Sequence, residues 1–259
     1  MVILKTEEEI ELLRKSNLLV SKTLAEIAPM MKPGVSTLEI DQRAEEFIRD
    51  NGGVPGFKGY NGFPNSLCIS VNENVVHGIP SSYVLKKGDI VSVDCGVYLN
   101  KFHGDSAFTF AIDEIDAKVS ELLKVTKEAL YKGIEQAVIG KRIGDIGNAI
   151  QEYTESFGFS VVREMVGHGV GKNLHEPPEV PNYGKKGTGM KLKKGMVIAI
   201  EPMINLGKKE IIQENDGWTI RAIDRKASAH YEHSVAIGKQ KADILSDFSI
   251  IEEALNIIN

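Results

Sequence analysis

The sequence repeats itself, and this repeat limits the architectures that the chain can adopt. Residues 34–52 align with residues 140–158 without a gap, and both segments begin and end with glycine. KKGDIVSVD at 86–94 matches KKGMVIAIE at 193–201. Two shorter matches keep the same order in both halves: HGIP with HEPP before these segments, and FHGD with HYE after them. We therefore expect two α/β halves that are related by a pseudo-two-fold axis, with any shared site between them.

Helical periodicity is strongest at the start of each half. Thr6 with Glu9, and Ser36 with Glu39, have the spacing of capping boxes, which begin helices. The first helix is predicted to run to about Met31. In the second half a long helix is predicted to end near Gly140 and a shorter one at Gly158, with apolar residues again at helical spacing.

Composition and charge exclude several classes of protein. A chain of 259 residues, 42% of them hydrophobic, suits one domain, predicted over 1–259 with halves of about 1–112 and 113–259. The net charge of −5, with no basic excess, argues against DNA binding. No apolar run has the length of a signal peptide or a bilayer span, so we expect a cytoplasmic protein without membrane contacts. Cys68 and Cys95 form no CxxC pair and are expected to be buried apolar side chains.

Four carboxylates lie in the most strand-like and least polar segments of the chain: Asp94, Asp105, Glu201 and Glu232. Taken singly, each would more often be a solvated residue on a strand face. Four ionised carboxylates buried together repel one another, and no matching set of arginines is nearby. Two divalent cations would balance the four charges. The repeat supports this interpretation because it pairs Asp94 with Glu201 and Asp105 with Glu232.

The segment GHGVGKNLHE places His168 and His175 seven positions apart among glycines. Zinc peptidases of the HExxH type need two histidines one helical turn apart, which this spacing does not give. We therefore predict that His168 is the nitrogen ligand of the metal site and that His175 is a hydrogen-bonding group beside it. Three further histidines are expected to be satisfied core or surface residues: His103, His230 and His233.

Five segments together resemble the type I methionine aminopeptidases over essentially the whole chain. They are VNENVVHGIP, VDCGVYLNKFHGDSA, EMVGHGVGKNLHEPPEVPNYG, MVIAIEPMIN and NDGWTIRAIDRKASAHYEHSVAI. The resemblance implies the α+β pita-bread fold, in which a duplicated antiparallel sheet with pseudo-two-fold symmetry is covered by helices. The span between His175 and Tyr231 is short, whereas type II enzymes carry an insertion there.

The resemblance also implies five metal ligands and two divalent ions. Asp105 and Glu232 would bridge both ions, Asp94 would complete the coordination of one, and His168 and Glu201 that of the other. A set of mostly oxygen ligands with one imidazole leaves Co, Mn, Fe and Zn open as the metal.

The implied activity is removal of the N-terminal methionine from nascent proteins and peptides whose second residue is small. A hydroxide that bridges the two ions would attack the first peptide bond. Glu201 would pass the proton of the water to the leaving amine, and His175 would donate a hydrogen bond to the oxyanion. His77 would hold the leaving side of the substrate.

The methionine side chain would bind in a pocket lined by the edges of aromatic rings and by a thiol. Sulfur–aromatic contacts of this kind contribute about 0.3–1.5 kcal/mol each. The resemblance assigns this pocket to Tyr60, Phe63, Cys68 and Trp218. Phe57 and Leu174 lie nearby in the motifs, and ordinary core packing is as strongly expected for these two.

Other functions stay open at this point. A related pita-bread peptidase of proline specificity is one alternative, although such relatives usually carry an extra N-terminal domain. A non-catalytic binding protein is another, although it is expected to lose ligands and all five are present. The expected partners are nascent polypeptide N-termini, and the expected state is a monomer. Five lysines at 185–194 suggest contact with ribosomal RNA, but a solvated loop is favoured.

Overall fold

A computed structural model describes residues 2–256 and shows antiparallel sheets flanked by helices. The helices, numbered α1 to α5 in chain order, span Glu7–Ile27, Thr37–Asp50, Ala117–Ile134, Ile143–Ser156 and Phe248–Asn256. The strands, numbered β1 to β15, span Val54–Pro55, Leu67–Val71, Asn74–Val76, Ile90–Leu99, Phe102–Ala111, Ser160–Val161, Gly167–Gly169, Glu176–Val180, Val197–Ile200, Met203–Asn205, Ile211–Gln213, Ile220–Ala222, Ser228–His230, His233–Ala236 and Asp243–Ile244. Residue 1 and residues 257–259 of the predicted domain lie outside the described part. Within that part, every helix is too short or too polar to traverse a lipid bilayer.

The first helix begins as predicted. Thr6 Oγ1 accepts a hydrogen bond from Glu9 N at 3.2 Å, and the Glu9 carboxylate accepts one from Thr6 N at 3.1 Å. The helix ends at Ile27 rather than at Met31, because the chain tightens into a 3-10 turn over Ala28–Met30. Its apolar face packs across β4 and β5, which hold part of the predicted site.

The two halves share equivalent helices, backbone dihedral angles and backbone hydrogen bonds. α2 and α4 are both 14 residues long. The glycines that bound them have positive φ in matched pairs, Gly34 with Gly140 (94° and 97°) and Gly52 with Gly158 (76° and 79°). Leu85 N donates to Val35 O at 2.9 Å, and at the equivalent place Leu192 N donates to Lys141 O at 2.8 Å. These matches relate residues 34–85 to residues 140–192, as the sequence repeat does.

Each half contributes a long antiparallel hairpin. In the first half, β4 pairs with β5 along ten residues without a break. In the second half, β9 and β10 pair with β14 and β13 in a single register, but the ladder is interrupted at Glu201–Pro202 and at Tyr231–Glu232. Pro202 has no N–H to contribute to a ladder. Two of the four carboxylates therefore lie within strands, and two lie at breaks between strands.

Asp105 and Glu232, which the sequence repeat pairs, do not hold equal places in the two hairpins. Asp105 lies opposite Gly96 in the first hairpin. In the sequence repeat, Met203 aligns with Gly96. His230 lies opposite Met203 in the second hairpin, so His230 has the position that corresponds to Asp105. Glu232 stands two residues farther along, within the break. The symmetry of the backbone is therefore stronger than the symmetry of the carboxylates.

Buried polar groups join the halves along β5 and the segment between β13 and β14. Glu232 N donates to Ala107 O at 2.9 Å. Ser106 Oγ donates to Glu232 O at 2.6 Å, and Ser234 Oγ donates to Asp105 O at 2.9 Å. All five residues are buried. This seam fixes Asp105 and Glu232 relative to each other through backbone groups on both sides.

One apolar core extends through both halves. It includes Ile40 from α2 and Ile146 from α4, which the repeat pairs and which are both fully buried. The predicted end of the third helix near Gly140 is wrong, because α3 stops at Ile134. α5 was not predicted, although Phe248 and Ile251 have helical spacing, and it packs on α1.

Candidate active site

A cavity of about 730 Å³ lies at the seam between the halves. Its volume is in the range of small-ligand sites. All eleven residues predicted for the site line it: Tyr60, Phe63, Cys68, His77, Asp94, Asp105, His168, His175, Glu201, Trp218 and Glu232. The fold therefore brings together side chains that β-strands and loops of both halves supply.

The five predicted metal ligands converge at the floor of this cavity. His168 Nε2 lies 3.7 Å from Asp105 Oδ2 and 3.6 Å from Glu201 Oε1. Asp105, His168 and Glu232 each offer a ligand atom, and these atoms all lie within 4.8 Å of one another. Beyond the effect of burial, Asp94 lies near enough to raise the pKa of Asp105 by charge repulsion. These distances are longer than hydrogen bonds, so the atoms converge on a common space rather than on each other.

Burial dominates the electrostatics of the four carboxyl groups. Asp105 and Glu232 are only 3% and 1% exposed, which overturns the interpretation of a solvated strand face. Burial raises the pKa of Asp94 to about 7 and that of Glu201 to about 8. Burial, together with repulsion from the neighbouring carboxylates, raises the pKa of Asp105 and of Glu232 well above the usual range. Without cations, this site therefore holds protons at neutral pH.

The donor set fits divalent cations. Asp94 Oδ1, Asp105 Oδ1 and Glu232 Oε1 are buried and have no hydrogen-bond partner. Unsatisfied buried oxygens of this kind are costly, and a metal ion satisfies them. Among residues 2–256, no lysine or arginine forms an ion pair with any of the four carboxylates; only histidines approach them. The negative charge is thus left for cations to balance.

His168 is a neutral imidazole whose orientation would allow it to bind a metal. Burial, with a smaller contribution from the nearby His175, lowers the pKa of His168 to about 3. Its Nδ1 lies 2.9 Å from Gly169 O, so Nδ1 carries the proton and donates to that carbonyl. The lone pair is then on Nε2, the atom that faces Asp105 and Glu201. A backbone carbonyl that fixes the tautomer in this way is common for metal-binding histidines.

His175 lies beside this ligand with its ring fixed by two contacts. The ring centroids of His168 and His175 are 4.1 Å apart in an edge-to-face arrangement. The Tyr60 hydroxyl lies 2.8 Å from His175 Nδ1. When the hydroxyl donates to Nδ1, the proton of the neutral ring is on Nε2, and His175 can donate a hydrogen bond from that atom. This contact gives Tyr60 a second role besides lining the pocket.

An apolar pocket adjoins the carboxylates. Its cluster contains all six predicted residues, together with Ile79: Phe57, Tyr60, Phe63, Cys68, Leu174 and Trp218. The rings of Phe63 and Trp218 meet edge to face at 5.2 Å. Gly96 on β4 allows Phe57 to pack here, since a Cβ at Gly96 would lie 2.5 Å from Phe57 Cε1. Burial raises the pKa of Cys68, so this residue presents a neutral thiol to the pocket.

His77 reaches the cavity from a strained backbone position. Its φ is 58°, in the left-handed region that side-chain-bearing residues rarely adopt. Burial lowers the pKa of His77 to about 4, so the ring is neutral at physiological pH. Strain of this kind persists where the surrounding structure imposes it, and it clusters at functional sites.

Sequence reasoning missed His230, which was expected to be a satisfied residue. Its Nε2 is buried without a hydrogen-bond partner and lies 3.5 Å from Glu201 Oε2. His103 Nδ1 is also buried without a partner, whereas His233 Nδ1 is 2.6 Å from Ser246 Oγ, as expected. The expectation was therefore wrong for two of the three histidines. The hairpin register gives His230 the position that corresponds to Asp105, and this correspondence is the signal that could have identified His230 as a site residue.

We expect the metal-free protein to lose stability as the pH rises from about 5 to about 8. The unfolded values are about 3.9 for Asp and about 4.3 for Glu, and the folded pKa values of Asp94 and Glu201 are higher. A carboxyl group with a raised folded pKa contributes stability below its unfolded pKa, and this contribution is lost as the pH rises through the folded value. Thermal unfolding in chelator across this range measures the loss. Glu201→Gln should flatten the slope, and a melting temperature independent of pH in the wild type would contradict the assignment.

Comparisons with known proteins agree on one group. The model of metallopeptidase family M24 matches residues 11–239. The methionine aminopeptidase of Clostridium perfringens is 52% identical over 246 residues, which cover 95% of this chain and 99% of that protein. Methionine aminopeptidase 1 of Bacillus subtilis is 50% identical with the same coverage. The crystal structure of methionine aminopeptidase from Rickettsia prowazekii has a TM-score of 0.94 and 39% identity, over 95% of this chain and 100% of that one.

A more distant likeness extends to proline-specific peptidases. Prolidase from Pyrococcus furiosus has a TM-score of 0.75 at 24% identity, and the match covers 95% of this chain and 65% of that one. At this identity the likeness shows the fold alone.

Proposed function

This chain belongs to metallopeptidase family M24, and we propose that it is a metal-dependent aminopeptidase that removes N-terminal methionine. The predicted pita-bread fold is confirmed by this membership and by the neighbouring structures. Among the alternatives, methionine specificity is favoured over proline specificity, because identities of 50–52% over the whole chain are to methionine aminopeptidases. The convergence of four buried carboxylates and one neutral histidine is the observation that carries the proposal of hydrolysis with metal.

We propose that the site holds two divalent ions. Asp105 and Glu232, which the seam fixes through backbone groups, would bridge them. Asp94 would bind the first ion, and His168 and Glu201 the second. When bound, the ions would supply a water with a pKa near about 7 and would polarise the peptide carbonyl. Co, Mn, Fe and Zn all suit this set of oxygen and imidazole ligands.

The protein groups around the site would handle the protons. Glu201 Oε1 lies 3.6 Å from His168 Nε2 in the ligand cluster, so its carboxylate stands beside a water held there and is placed to accept a proton from it. In the proposed reaction Glu201 takes the proton of the attacking water and gives it to the leaving amine. His175 Nε2–H donates to the oxygen of the scissile carbonyl as negative charge develops there. His77 hydrogen-bonds to the leaving side of the substrate.

The position of the apolar pocket supports selectivity for an N-terminal methionine. Phe63, Cys68 and Trp218 border the same cavity as the carboxylates, so a thioether side chain in the pocket places its own peptide bond at the ligand cluster. The free α-amine is proposed to bind on the Asp94 side, which leaves no room for a preceding residue. The preference for a small second residue also belongs to this proposal.

The proposed partners are the N-termini of nascent polypeptides. Contact of the lysines at 185–194 with the ribosome, the monomeric state and the cytoplasmic location stay predictions. A sedimentation assay with ribosomes, comparing the wild type with a variant in which these lysines are replaced, would decide the first of them.

A peptide assay tests the proposed function. We expect rapid release of methionine from Met-Ala-Ser, no cleavage of Xaa-Pro peptides, and slower cleavage when a bulky residue follows methionine. Chelation should abolish turnover, and Mn or Co added back should restore it. Faster cleavage of Xaa-Pro peptides would establish the proline-specific alternative. Metal binding without cleavage of any peptide would establish a binding protein.

A further inference from the structure

A buried ion pair joins the N-terminal segment to the loop that carries His175. Lys5 Nζ lies 2.7 Å from Glu176 Oε2, and the two side chains are 3% and 2% exposed. Lys5 precedes α1, and Glu176 begins β8 directly after His175. The pair spans 171 positions of sequence, and the proposed reaction does not use it.

The Glu176 carboxylate is packed against the backbone of the same loop. Its other oxygen, Oε1, accepts a hydrogen bond from Asn173 N at 3.2 Å. At Gly171 a Cβ would lie 2.5 Å from Glu176 Oε1 and 2.7 Å from Lys5 Cε. The loop can approach the pair this closely only because that position has no side chain. The carboxylate therefore closes the turn from 171 to 176, at whose end His175 stands.

Lys5 is itself fixed. Its backbone N donates to Gly195 O at 2.7 Å, and its Nζ also donates to Ile3 O at 3.1 Å. A buried ion pair of this kind contributes little net stability, because removing two charges from water costs about as much as their attraction returns. Its conformational effect, which is to hold one loop in one place, is the larger consequence.

We propose that Lys5 and Glu176 are positioning residues that hold the His175 ring where it meets the substrate. The proposal rests on the proposed function, in which His175 donates to the scissile carbonyl. The ring contacts the side chains of Tyr60 and His168, and it is exposed at the cavity. The backbone that carries the ring is therefore the part that must be fixed, and the Lys5–Glu176 pair fixes it.

Kinetics in two backgrounds test this role. Lys5→Met should lower kcat on Met-Ala-Ser about 10- to 100-fold, the cost of a small displacement of a reacting group, with little change in KM. Lys5→Arg keeps the charge and should retain most of the rate. In a His175→Ala background, Lys5→Met should cause almost no further loss, because both changes remove the same interaction. An equal loss in both backgrounds would show that the pair only stabilises the fold, and would overturn the proposal.

A second measurement does not depend on activity. In metal-free protein, the imidazole NMR signal of His175, assigned by its absence in His175→Ala, should shift in Lys5→Met and stay in place in Lys172→Met. Lys172 is the matched control, because it belongs to the same loop and forms an exposed ion pair with Glu9 at 3.5 Å. An unmoved signal in Lys5→Met would contradict the proposal. Wild-type protein inactive on Met-Ala-Ser would instead contradict the proposed function, and the NMR result would still decide the role of the pair.

If Lys5→Met fails to fold, the double variant Lys5→Met/Glu176→Gln replaces it. This variant leaves no unpaired charge in the interior, so it should fold. The expected result is a melting temperature near that of the wild type with kcat still reduced. If the melting temperature and kcat both returned to wild-type values, the pair would have no positioning role.

Discussion

Asp105→Asn should abolish peptide cleavage and metal binding while it stabilises the metal-free protein. Asp105 is proposed to bridge both ions, so its loss removes a ligand from each. Without metal, the attacking water keeps a pKa of about 15.7 instead of about 7, and turnover should fall below detection. The metal-free protein gains stability because asparagine needs no proton, whereas the raised pKa of Asp105 means that this carboxyl must take up a proton on folding at neutral pH. Metal analysis after dialysis, turnover of Met-Ala-Ser and thermal unfolding in chelator measure the three effects.

Asp113→Asn is the control for this substitution. Asp113 follows β5 closely, is exposed, and has a φ of 57°, a conformation that asparagine adopts readily. The same chemical change there should leave metal content and turnover at wild-type levels. Full turnover by Asp105→Asn in the presence of chelator would falsify the mechanism with two metals.

His175→Ala should lower kcat about 10²- to 10³-fold and leave both metals bound. This is the usual loss when one hydrogen-bond donor to a developing oxyanion is removed. KM should change little, because the donated bond strengthens only as charge develops on the oxygen. Steady-state kinetics and metal analysis on the same preparation separate the two effects. Loss of metal from His175→Ala would show instead that this histidine is a ligand.

Tyr60→Phe provides a graded comparison for His175. The hydroxyl of Tyr60 makes one neutral hydrogen bond with His175 Nδ1 at 2.8 Å. Its removal should lower kcat about 3- to 10-fold, the kinetic equivalent of one such bond. The ring of phenylalanine still fills the pocket, so affinity for methionine should be retained. A loss as large as that of His175→Ala would indicate that Tyr60 itself contacts the reacting atoms.

Local features could be predicted from the sequence because neighbouring residues determine them. The capping boxes at Thr6 and Ser36 begin helices where expected, since each depends on groups three residues apart. The repeat of residues 34–52 at 140–158 gives two helices of equal length for the same reason. The ends of α1 and α3 were less predictable, because tertiary contacts decide how the last turns close.

Contacts between distant segments could not be predicted in the same way. Nothing local to Lys5 indicates Glu176, and nothing local to His230 indicates Glu201. The break in the second hairpin at Glu232 also interrupts a segment, HYEHSVAI at 230–237, that alternates like a continuous strand. Each of these features depends on how one half packs on the other.

The sequence by itself determined the kinds of groups at the site and their charge balance. Four carboxyl groups in apolar segments require cations or protons wherever those segments are buried, because charge is a property of residue type: Asp94, Asp105, Glu201 and Glu232. Only the tertiary structure decided which atoms face one another, which oxygens lack partners, and how His168 and its neighbours are oriented. Those depend on distances of a few ångström between segments far apart in the chain, and packing alone sets such distances.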